Sequence, residues 1–332
     1  MKILYYLLSL IYQLGIYSRN LLYELNILKS HNFKIPIISI GNITMGGTGK
    51  TPMTLLIFNQ LILNNKKPCI VTRGYNRKSK ELIVIDKNSK NYTIDQIGDE
   101  PLMMLKKNQA IQMVVYHNKI QAIQEAINQL DIDTIILDDG FQSLYISRDI
   151  DIVMINANQK NNQYNLFPLG NAREPIKNIK RADVVITNRG DVSSNIKNIC
   201  VNNNIKSFQA DNLFTVVGKD NTSIDSFDDW RVMAVCGIAD PESFLNALID
   251  LNIDVGGEFV VGDHYHYKAD DINKIYQQMQ EKECNTIITT WKDYYKIHPL
   301  NIGGRKIIIL DMKLEVKGNE FFSIINERVN DY

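Results

Sequence analysis

A glycine-rich loop, GNITMGGTGKT at residues 41–51, constrains this chain more than any other stretch. It follows the apolar run 35–40 and precedes an apolar, helix-like stretch at 51–63, which predicts a strand, a loop and a helix in succession. The loop amides and the positive end of the helix would together bind an anion. The pattern therefore indicates a site for a nucleoside triphosphate.

The end of this loop supplies the chemistry of nucleotide binding. Lys50 can reach the outer phosphates, and the hydroxyl of Thr51 can coordinate Mg²⁺. The usual pattern is G-x-x-x-x-G-K-[ST], but Thr44 occupies its first position, so Gly46 and Gly47 supply the flexibility instead. An ordinary glycine-rich turn before a helix is the alternative.

The composition is that of an ordinary globular protein. The length of 332 residues favours roughly two domains, and 45% hydrophobic residues provide material for a sizeable core. The 37 basic and 37 acidic side chains balance, so no overall field favours nucleic acid. Four cysteines stand far apart without a C-x-x-C pair, which predicts buried, reduced thiols.

The amino terminus carries an apolar segment that is short for a membrane span. The run within residues 1–20 is about fifteen residues long, whereas a spanning helix needs roughly twenty. No small-residue cleavage site of a signal peptide follows it. Its four tyrosines suit an interface between water and lipid. We therefore predict a helix within residues 1–28 that lies on a membrane surface; a helix packed on the protein's own core is the alternative.

Strands and helices alternate with short connections through the first two thirds of the chain, which predicts an α/β fold with a doubly wound, mostly parallel sheet of the P-loop NTPase kind. Near Phe214 this alternation of strands and helices is interrupted by a short strand and a polar, charged stretch. After the N-terminal helix we predict a P-loop domain at 29–213, a linker strand at 214–230, a second, smaller α/β domain at 231–305, and a return strand with a terminal helix at 306–332. We expect the return strand to pair with the linker strand near Phe214.

Two predicted strands end in polar residues, and open parallel sheets bind ligands at these strand ends. The basic loop after the strand at 68–73 contains Arg73 and Tyr75, which could meet an anionic or sugar-like group; a solvated basic turn is the alternative. The buried strand predicted within 134–140 ends in Asp138 and Asp139, where a carboxylate could hold Mg²⁺, unless the segment is an Asp-Gly turn. Gln142 lies on the same rim.

Three further segments carry candidate polar groups. Asp99 and Glu100 precede an apolar helix start, either as helix-capping acids or as a base and a metal ligand. Arg173, in the loop LFPLGNAREP, could bind phosphate through both arms of its guanidinium or simply form a salt bridge. The segment NRGD at 188–191 is close to the N-K-x-D of guanine-specific GTPases, although arginine replaces the lysine.

The segment GDHYHY at 262–267 holds two of the five histidines, His264 and His266. It could be a surface loop, or part of a zinc site, although no cysteine pair stands nearby to complete one. The third alternative is an Asp–His arrangement for proton transfer.

Taken together, eight segments resemble the tetraacyldisaccharide 4′-kinase family in sequence and in order: GNITMGGTGKTP, VTRGYNR, GDEP, DDGFQ, RDIDIV, LFPLGNAREP, GDHYHY and ITTWKD. The resemblance runs from the N-terminal helix to about Lys296. It implies an ATP-dependent kinase that phosphorylates the 4′-hydroxyl of the tetraacyldisaccharide 1-phosphate precursor of lipid A. It implies a peripheral or monotopic enzyme at the cytoplasmic face of the inner membrane that acts on an acylated disaccharide phospholipid and not on nucleic acid; it does not imply a protein partner.

The resemblance also implies roles for individual residues. Asp99 looks like the base for the sugar hydroxyl, His264 like its partner, and Lys50 like the group on the outer phosphates. The ATP-binding residues would be Thr44, Met45, Gly46, Gly47, Thr48, Gly49, Lys50 and Thr51. The Mg²⁺-binding residues would be Thr51, Glu100 and Asp138. The substrate-binding residues would be Arg73, Tyr75, Asp139, Gln142 and Arg173.

Three positions depart from the family pattern. Ser143 stands where the family commonly has histidine, Trp291 stands where it has glutamate, and His266 is an additional imidazole. A different class of protein remains as an alternative, because the sequence of the loop is also similar to the K-G-G-x-G-K-T motif of membrane-associated, partner-switching ATPases. Met45 stands where their signature lysine would be, which argues against that class.

Overall fold

The structure is a computed structural model that describes residues 2–88, 91–227, 229–300 and 306–331. Its helices are α1 Lys2–Glu24, α2 Lys50–Leu63, α3 Ile94–Ile97, α4 Asp99–Lys107, α5 Lys119–Gln129, α6 Ser194–Asn202, α7 Pro241–Asp250, α8 Ala269–Glu281, α9 Trp291–Ile297 and α10 Glu320–Asn330. Its strands are β1 Ile37–Gly41, β2 Pro68–Thr72, β3 Ile83–Ile85, β4 Gln112–Val115, β5 Thr134–Asp138, β6 Ile150–Asn156, β7 Val184–Asn188, β8 Lys206–Val217, β9 Arg231–Cys236, β10 Asp254–Val260, β11 Thr286–Thr290 and β12 Lys306–Val316.

The strands of the described residues form one sheet in the order β10-β9-β11-β12-β8-β7-β6-β1-β5-β2-β4-β3. Its neighbouring strands are parallel except in two pairs, β3 with β4 and β8 with β12. The predicted α/β fold with a doubly wound, mostly parallel sheet is confirmed. Because β1 lies between β5 and β6, the loop that follows it opens at the centre of the P-loop half of the sheet.

The sheet separates two apolar layers, as the alternation of side chains along a strand requires. In β1, Ile38 and Ile40 join the cluster that includes α2, α4 and α10. Ile37 faces the opposite side and joins the cluster that includes α5. Central parallel strands covered on both faces read as continuous apolar runs, which is why β1 and β5 were recognisable in the sequence. All four cysteines are buried and free, as predicted.

The return strand pairs with the linker strand as predicted, but the linker strand is longer than expected. Strand β12 runs antiparallel to β8, with Met312 opposite Phe214. The sequence indicated a strand only from Phe214, whereas β8 begins at Lys206. The early part of β8 is largely polar and only partly buried, so it shows no apolar alternation although its backbone is bonded on both sides. The two predicted α/β units therefore share one continuous sheet.

Helix α1 packs on the body along one narrow face only. Ile16 is buried with Leu166 and Ala172, the Ser9 hydroxyl donates to the Leu166 carbonyl at 3.1 Å, and the Tyr12 hydroxyl donates to the Arg173 carbonyl at 3.0 Å. Most other large apolar side chains of α1 are exposed. Within the described ranges, no helix combines the length and the apolar character that crossing a membrane requires.

The close approach of two chain segments at the end of β1 yields a stability prediction. A Cβ at Gly41 would lie 2.5 Å from the Phe141 Cβ and 2.7 Å from the Phe141 nitrogen. Gly41→Ala is therefore expected to lower the free energy of unfolding by about 1–3 kcal/mol, measured by urea denaturation. Gly15→Ala in α1 is the matched control, because a Cβ there meets nothing within 4 Å. Equal stability of the Gly41→Ala variant and the native chain would contradict the close contact.

Candidate active site

The glycine-rich loop joins β1 to α2, as predicted. Gly46 and Gly49 adopt φ angles of 107° and 91°, a region that glycine enters at little cost. The Thr48 hydroxyl accepts a hydrogen bond from the Asn42 amide at 3.0 Å, and the Thr44 hydroxyl donates to Gln159 at 3.0 Å. Gly49 caps α2 without a side chain, so the amides at the helix start remain directed towards the loop. This arrangement suits the binding of an anion.

The ends of β1 and β5 bring opposite charges together beside this loop. The Lys50 ammonium lies 3.5 Å from Asp139, and Arg173 donates to both oxygens of Asp139 at 2.8 and 2.9 Å. Burial opposes ionisation of Asp139, but Lys50 and Arg173 outweigh it and hold its pKa below the usual value. Arg173 thus forms an ion pair with Asp139. Through this pair its guanidinium lies near Lys50, at the predicted phosphate site.

A buried lysine that the sequence did not single out fixes this rim. The Lys119 ammonium, at the start of α5, donates to the carbonyls of Asp138 at 2.8 Å and Asp139 at 2.6 Å. Burial lowers the pKa of Lys119 to about 8, against the attraction of the two aspartates. In the sequence Lys119 is an ordinary polar residue near a helix start, and only the fold places it under the rim.

Glu100 links the three predicted metal ligands, because Thr51 hydrogen-bonds to it and its charge acts on Asp138. The Thr51 hydroxyl donates to Glu100 at 3.1 Å, and the Thr72 hydroxyl donates to Asp138 at 2.9 Å. Burial, together with the charges of Glu100 and Asp139, raises the pKa of Asp138 to about 6. A cation would relieve this repulsion between carboxylates. Mg²⁺ prefers oxygen ligands and usually retains water and phosphate ligands. The donor set therefore fits it, although no cluster of three His, Cys, Asp or Glu exists among the described residues.

Asp99 and His264 meet directly. Asp99 begins α4, immediately after Gly98, whose φ of 95° sets the turn into the helix. The His264 Nδ1 lies 2.9 Å from the Asp99 Oδ2, although the residues are 165 positions apart in sequence. His264 itself adopts a φ of 58°, which is uncommon for a residue other than glycine. The two chain segments that the sequence analysis paired are therefore in contact.

Two lysines of α9, which the sequence analysis missed, complete this cluster. The Lys296 ammonium lies 3.2 Å from the Asp99 Oδ2, and the Lys292 ammonium lies 3.9 Å from the same oxygen. Burial alone would raise the pKa of Asp99, but the hydrogen bond from His264 and these ammonium groups hold it well below the usual value. Asp99 is therefore ionised near neutral pH. Lys292 lies inside the ITTWKD segment, and the i, i+4 spacing of the two lysines was a second signal in the sequence.

The predicted substrate residues occupy neighbouring loops on the same edge. The exposed ring of Tyr75 lies 5.2 Å from the ring of His264, and Arg73 is exposed on the same loop. The Gln142 amide donates to the Asn42 carbonyl at 2.9 Å and to Glu174 at 3.1 Å. This places Gln142 beside the phosphate loop, and Arg173 contacts its Oε1 at 3.4 Å.

The three departures from the family pattern have distinct surroundings. Ser143 is buried, and its carbonyl accepts a hydrogen bond from Arg148 at 2.8 Å. Trp291 is buried and stacks on Tyr295 with ring centroids 5.6 Å apart. His266 is exposed, in contrast to the half-buried His264. In the NRGD segment, Arg189 forms an ion pair with Asp240, the residue that caps α7.

Comparisons with known proteins show which proteins this chain is similar to. The family model described as tetraacyldisaccharide-1-P 4′-kinase matches residues 1–330. The tetraacyldisaccharide 4′-kinase of Halothermothrix orenii is 32% identical over 345 residues, covering 96% of this chain and 89% of the relative. That of Geobacter metallireducens is 30% identical and covers 92% of each. The structure of LpxK from Aquifex aeolicus in complex with ATP aligns over 97% of both chains, with a TM-score of 0.78 and 27% identity.

Proposed function

This chain belongs to the tetraacyldisaccharide 4′-kinase family and is an ATP-dependent kinase of a lipid A precursor, and we propose that Asp99 and His264 perform the proton transfer of its reaction. The observation that carries this proposal is the 2.9 Å contact between the His264 Nδ1 and the Asp99 Oδ2. It lies next to the Thr51–Glu100 hydrogen bond at the start of α2. A carboxylate is thereby held ionised beside the phosphate loop, where an acceptor hydroxyl would have to approach.

Each group of the site has its own role in the proposed reaction. The 4′-hydroxyl oxygen attacks the γ-phosphorus of ATP, its proton passes to the Asp99 carboxylate, and ADP leaves. Lys50 and Arg173 stabilise the charge on the transferring phosphoryl group. Thr51, Glu100 and Asp138 would hold Mg²⁺, which neutralises phosphate charge when it is bound. Base assistance of this kind contributes roughly 10²–10⁴-fold to the rate.

The rim beside this centre is the proposed acceptor site. Arg73, Tyr75 and Gln142 lie on the loops that follow β2 and β5, and their side chains offer charge, an aromatic face and hydrogen bonds to a phosphorylated sugar. The division into a P-loop domain at 29–213 and a smaller domain at 231–305 belongs to the same proposal. Each unit contributes one member of the Asp99–His264 pair, so substrate would bind where the two meet.

Helix α1 is the proposed membrane contact. Its exposed apolar side chains include Ile3, Leu7, Ile11 and Leu14, which recur at the spacing of one helix face. A face of this kind enters the boundary between headgroups and acyl chains. The acyl chains of the substrate could then remain in the bilayer while the sugar reaches the rim. Attachment at the cytoplasmic face, without a spanning segment, is part of this proposal.

Acidic substitutions on that face are expected to release the protein from lipid. The triple variant Leu7→Glu, Ile11→Glu and Leu14→Glu should sediment with anionic phospholipid vesicles at least tenfold less than the native chain, since burying three carboxylates in the bilayer boundary is unfavourable. The matched control places glutamate at Leu63, Val201 and Ile249, which are similarly exposed apolar residues outside α1. Equal loss of vesicle binding in both triple variants would contradict a membrane role specific to α1.

The two histidines of the GDHYHY segment provide a matched pair for testing the proton-transfer proposal. His264→Ala removes the group that contacts Asp99 and is expected to lower kcat about tenfold to a hundredfold, towards the lower end of base catalysis. His266→Ala changes an exposed imidazole and should leave kcat within about twofold of the native value. Initial rates of lipid phosphorylation measure both variants. Equal losses would mean that the wrong histidine had been assigned.

Transfer of labelled γ-phosphate from ATP to a purified lipid A disaccharide 1-phosphate, with Mg²⁺ and detergent, tests the function directly. Product phosphorylated at the 4′ position is the expected result. Hydrolysis of ATP at the same rate with and without the lipid would instead favour the alternative class, a partner-switching ATPase. Preference for GTP as phosphoryl donor would favour the guanine-specific alternative suggested by the NRGD segment.

A further inference from the structure

A groove lies between the second half of α1 and the body of the protein. Its volume is about 130 Å³, and the 3₁₀ helix Ile176–Arg181 forms the wall opposite α1. Among the described residues, none of those assigned above to the nucleotide, the metal ion or the acceptor lines this groove. The groove is therefore a separate surface feature, and its outer wall follows the loop of Arg173 directly in the chain.

Two lysines of this outer wall are directed towards α1. Lys177 and Lys180 are both exposed, and both line the groove. A 3₁₀ helix has about three residues per turn, so side chains three residues apart project from the same side. The Lys177 ammonium lies 6.0 Å from the centre of the Tyr17 ring, and the Lys180 ammonium lies 3.5 Å from the Glu24 Oε1. Two ammonium groups thus stand side by side along one groove.

The carboxylates near the groove do not cancel this charge. Glu24 is the one carboxylate that lines the groove within the described part of the chain. Its side chain and that of Lys180 are about half exposed, so their ion pair is weak. Glu174 is buried nearby, where Arg181 pairs with it at 2.9 Å and the Asn178 amide donates to it at 2.8 Å. The groove therefore retains net positive charge, which suits an anion.

The edge of the groove on α1 is apolar and continues the surface proposed to contact the membrane. Tyr17 and Leu21 follow Leu14 by three and seven residues, which places them on the same face of the helix. Both side chains are exposed and both line the groove. Lysines beside an apolar surface of this kind keep their ammonium groups at the level of the lipid headgroups. Cations thus lie on one side of the groove and apolar side chains on the other.

We propose that this groove binds the headgroup of an anionic phospholipid of the bilayer. Lys177 and Lys180 contact its phosphate. Tyr17 and Leu21 contact the first part of its acyl chains. The inference rests on the proposed membrane contact of α1 and adds the class of lipid that this contact recognises. Because the 3₁₀ helix continues the loop of Arg173, a lipid in the groove ties this loop, and with it the acceptor rim, to the bilayer surface.

Calorimetric titration with a monomeric lipid tests the site without a bilayer. The full chain, in nonionic detergent, is titrated with dihexanoylphosphatidylglycerol, an anionic lipid whose short chains keep it in solution. The same titration into detergent alone is subtracted. Saturable binding of one lipid per chain is the expected result. Absence of binding, or binding that does not saturate, would overturn the proposal.

Variants of the two lysines locate the bound lipid. Lys177→Gln combined with Lys180→Gln is expected to raise the Kd at least about tenfold, because each lysine beside a lipid phosphate contributes roughly fivefold. The matched control, Lys274→Gln combined with Lys313→Gln, removes the same charge from exposed positions outside the groove and should leave the Kd within about twofold. Equal Kd values for the two double variants would overturn the assignment of the lipid to the groove.

Glu24 offers a variant with the opposite expected effect. Glu24→Gln frees Lys180 from its ion pair, so the lipid should bind about twofold to fivefold more tightly than to the native chain. Unchanged or weaker binding by this variant would contradict a contact between the phosphate and Lys180.

Three further ligands define what the groove recognises. Dihexanoylphosphatidylcholine carries a positive choline beside its phosphate and should bind at least about tenfold more weakly than the anionic lipid. Glycerol 3-phosphate has no acyl chains, and equal affinity for it would make free phosphate, rather than a lipid, the ligand. Glucosamine 1-phosphate resembles the phosphorylated sugar of the substrate, and displacement of the lipid by it would assign the groove to the substrate. Weak binding of all three supports an anionic bilayer lipid.

The short-chain lipid also separates this inference from the proposed membrane contact. If Lys177→Gln with Lys180→Gln keeps the native Kd while the triple glutamate variant of α1 leaves the vesicles, the headgroup site is overturned and the membrane contact stands. If the lysine variant loses the lipid while the triple variant still sediments with vesicles, the membrane-facing surface of α1 is wrongly assigned and the headgroup site stands.

Discussion

Asp99→Asn is expected to lower kcat for phosphorylation of the 4′-hydroxyl at least about a hundredfold, within the range lost when a general base is removed. The amide has nearly the shape of the carboxylate, and its oxygen can still accept the hydrogen bond from the His264 Nδ1. What it lacks is the charge that accepts the substrate proton. Single-turnover transfer of labelled phosphate in detergent isolates this step from product release.

The control for this experiment is Asp95→Asn, an aspartate of α3 that forms a surface ion pair with Lys78. It should retain kcat within about twofold, as surface substitutions usually do. The KM for ATP of Asp99→Asn should also change little, because Asp99 lies at the start of α4 rather than in the phosphate loop. Near-native turnover of Asp99→Asn would remove this residue as the base and leave its ion-pair cluster with a structural role.

Lys50→Ala is expected to lower kcat/KM for ATP at least about a hundredfold, because a single preorganised charge on a reacting group is worth roughly 10²–10³-fold. Lys50 is the first residue of α2 and is largely buried beside Asp139. Its ammonium is thereby held next to the anion site of the loop. Steady-state kinetics with varied ATP and saturating lipid measure the effect.

Lys66→Ala is the matched control for Lys50→Ala, since Lys66 stands just after the other end of α2 and outside the site. The kcat/KM of Lys66→Ala for ATP should equal that of the native chain. The loss in Lys50→Ala should appear equally in any ATP hydrolysis that occurs without lipid, because the lysine acts on the nucleotide rather than on the acceptor. A variant that lost lipid phosphorylation but kept native ATP hydrolysis would contradict that assignment.

Local patterns were sufficient to predict the nucleotide half of this molecule. The order of strand, glycine-rich loop and helix is contiguous in sequence, and the strand at 134–138 reads as a buried run because both of its faces are covered. From those residues alone, a phosphate site and an Mg²⁺-compatible rim could be inferred. The same reasoning failed for the first part of β8, where partial burial leaves no apolar alternation to recognise.

The proposed proton-transfer pair needed information that no local pattern contains. Read by itself, Asp99 could have been a helix cap and His264 a surface histidine; only the order of family motifs paired them. Lys292, Lys296 and Lys119 were not singled out at all, because a lysine in sequence gives no sign of the carboxylate or carbonyl it will face.

The sequence by itself therefore determined the α/β fold, the phosphate loop and the apolar N-terminal helix, since periodicity and glycine placement act over neighbouring residues. Tertiary structure decided which charges meet. The contact between Asp99 and His264 spans 165 positions. The lowered pKa of the Asp99 carboxyl depends on distances and burial that arise only when α4, α9 and the loop at 262–267 pack together.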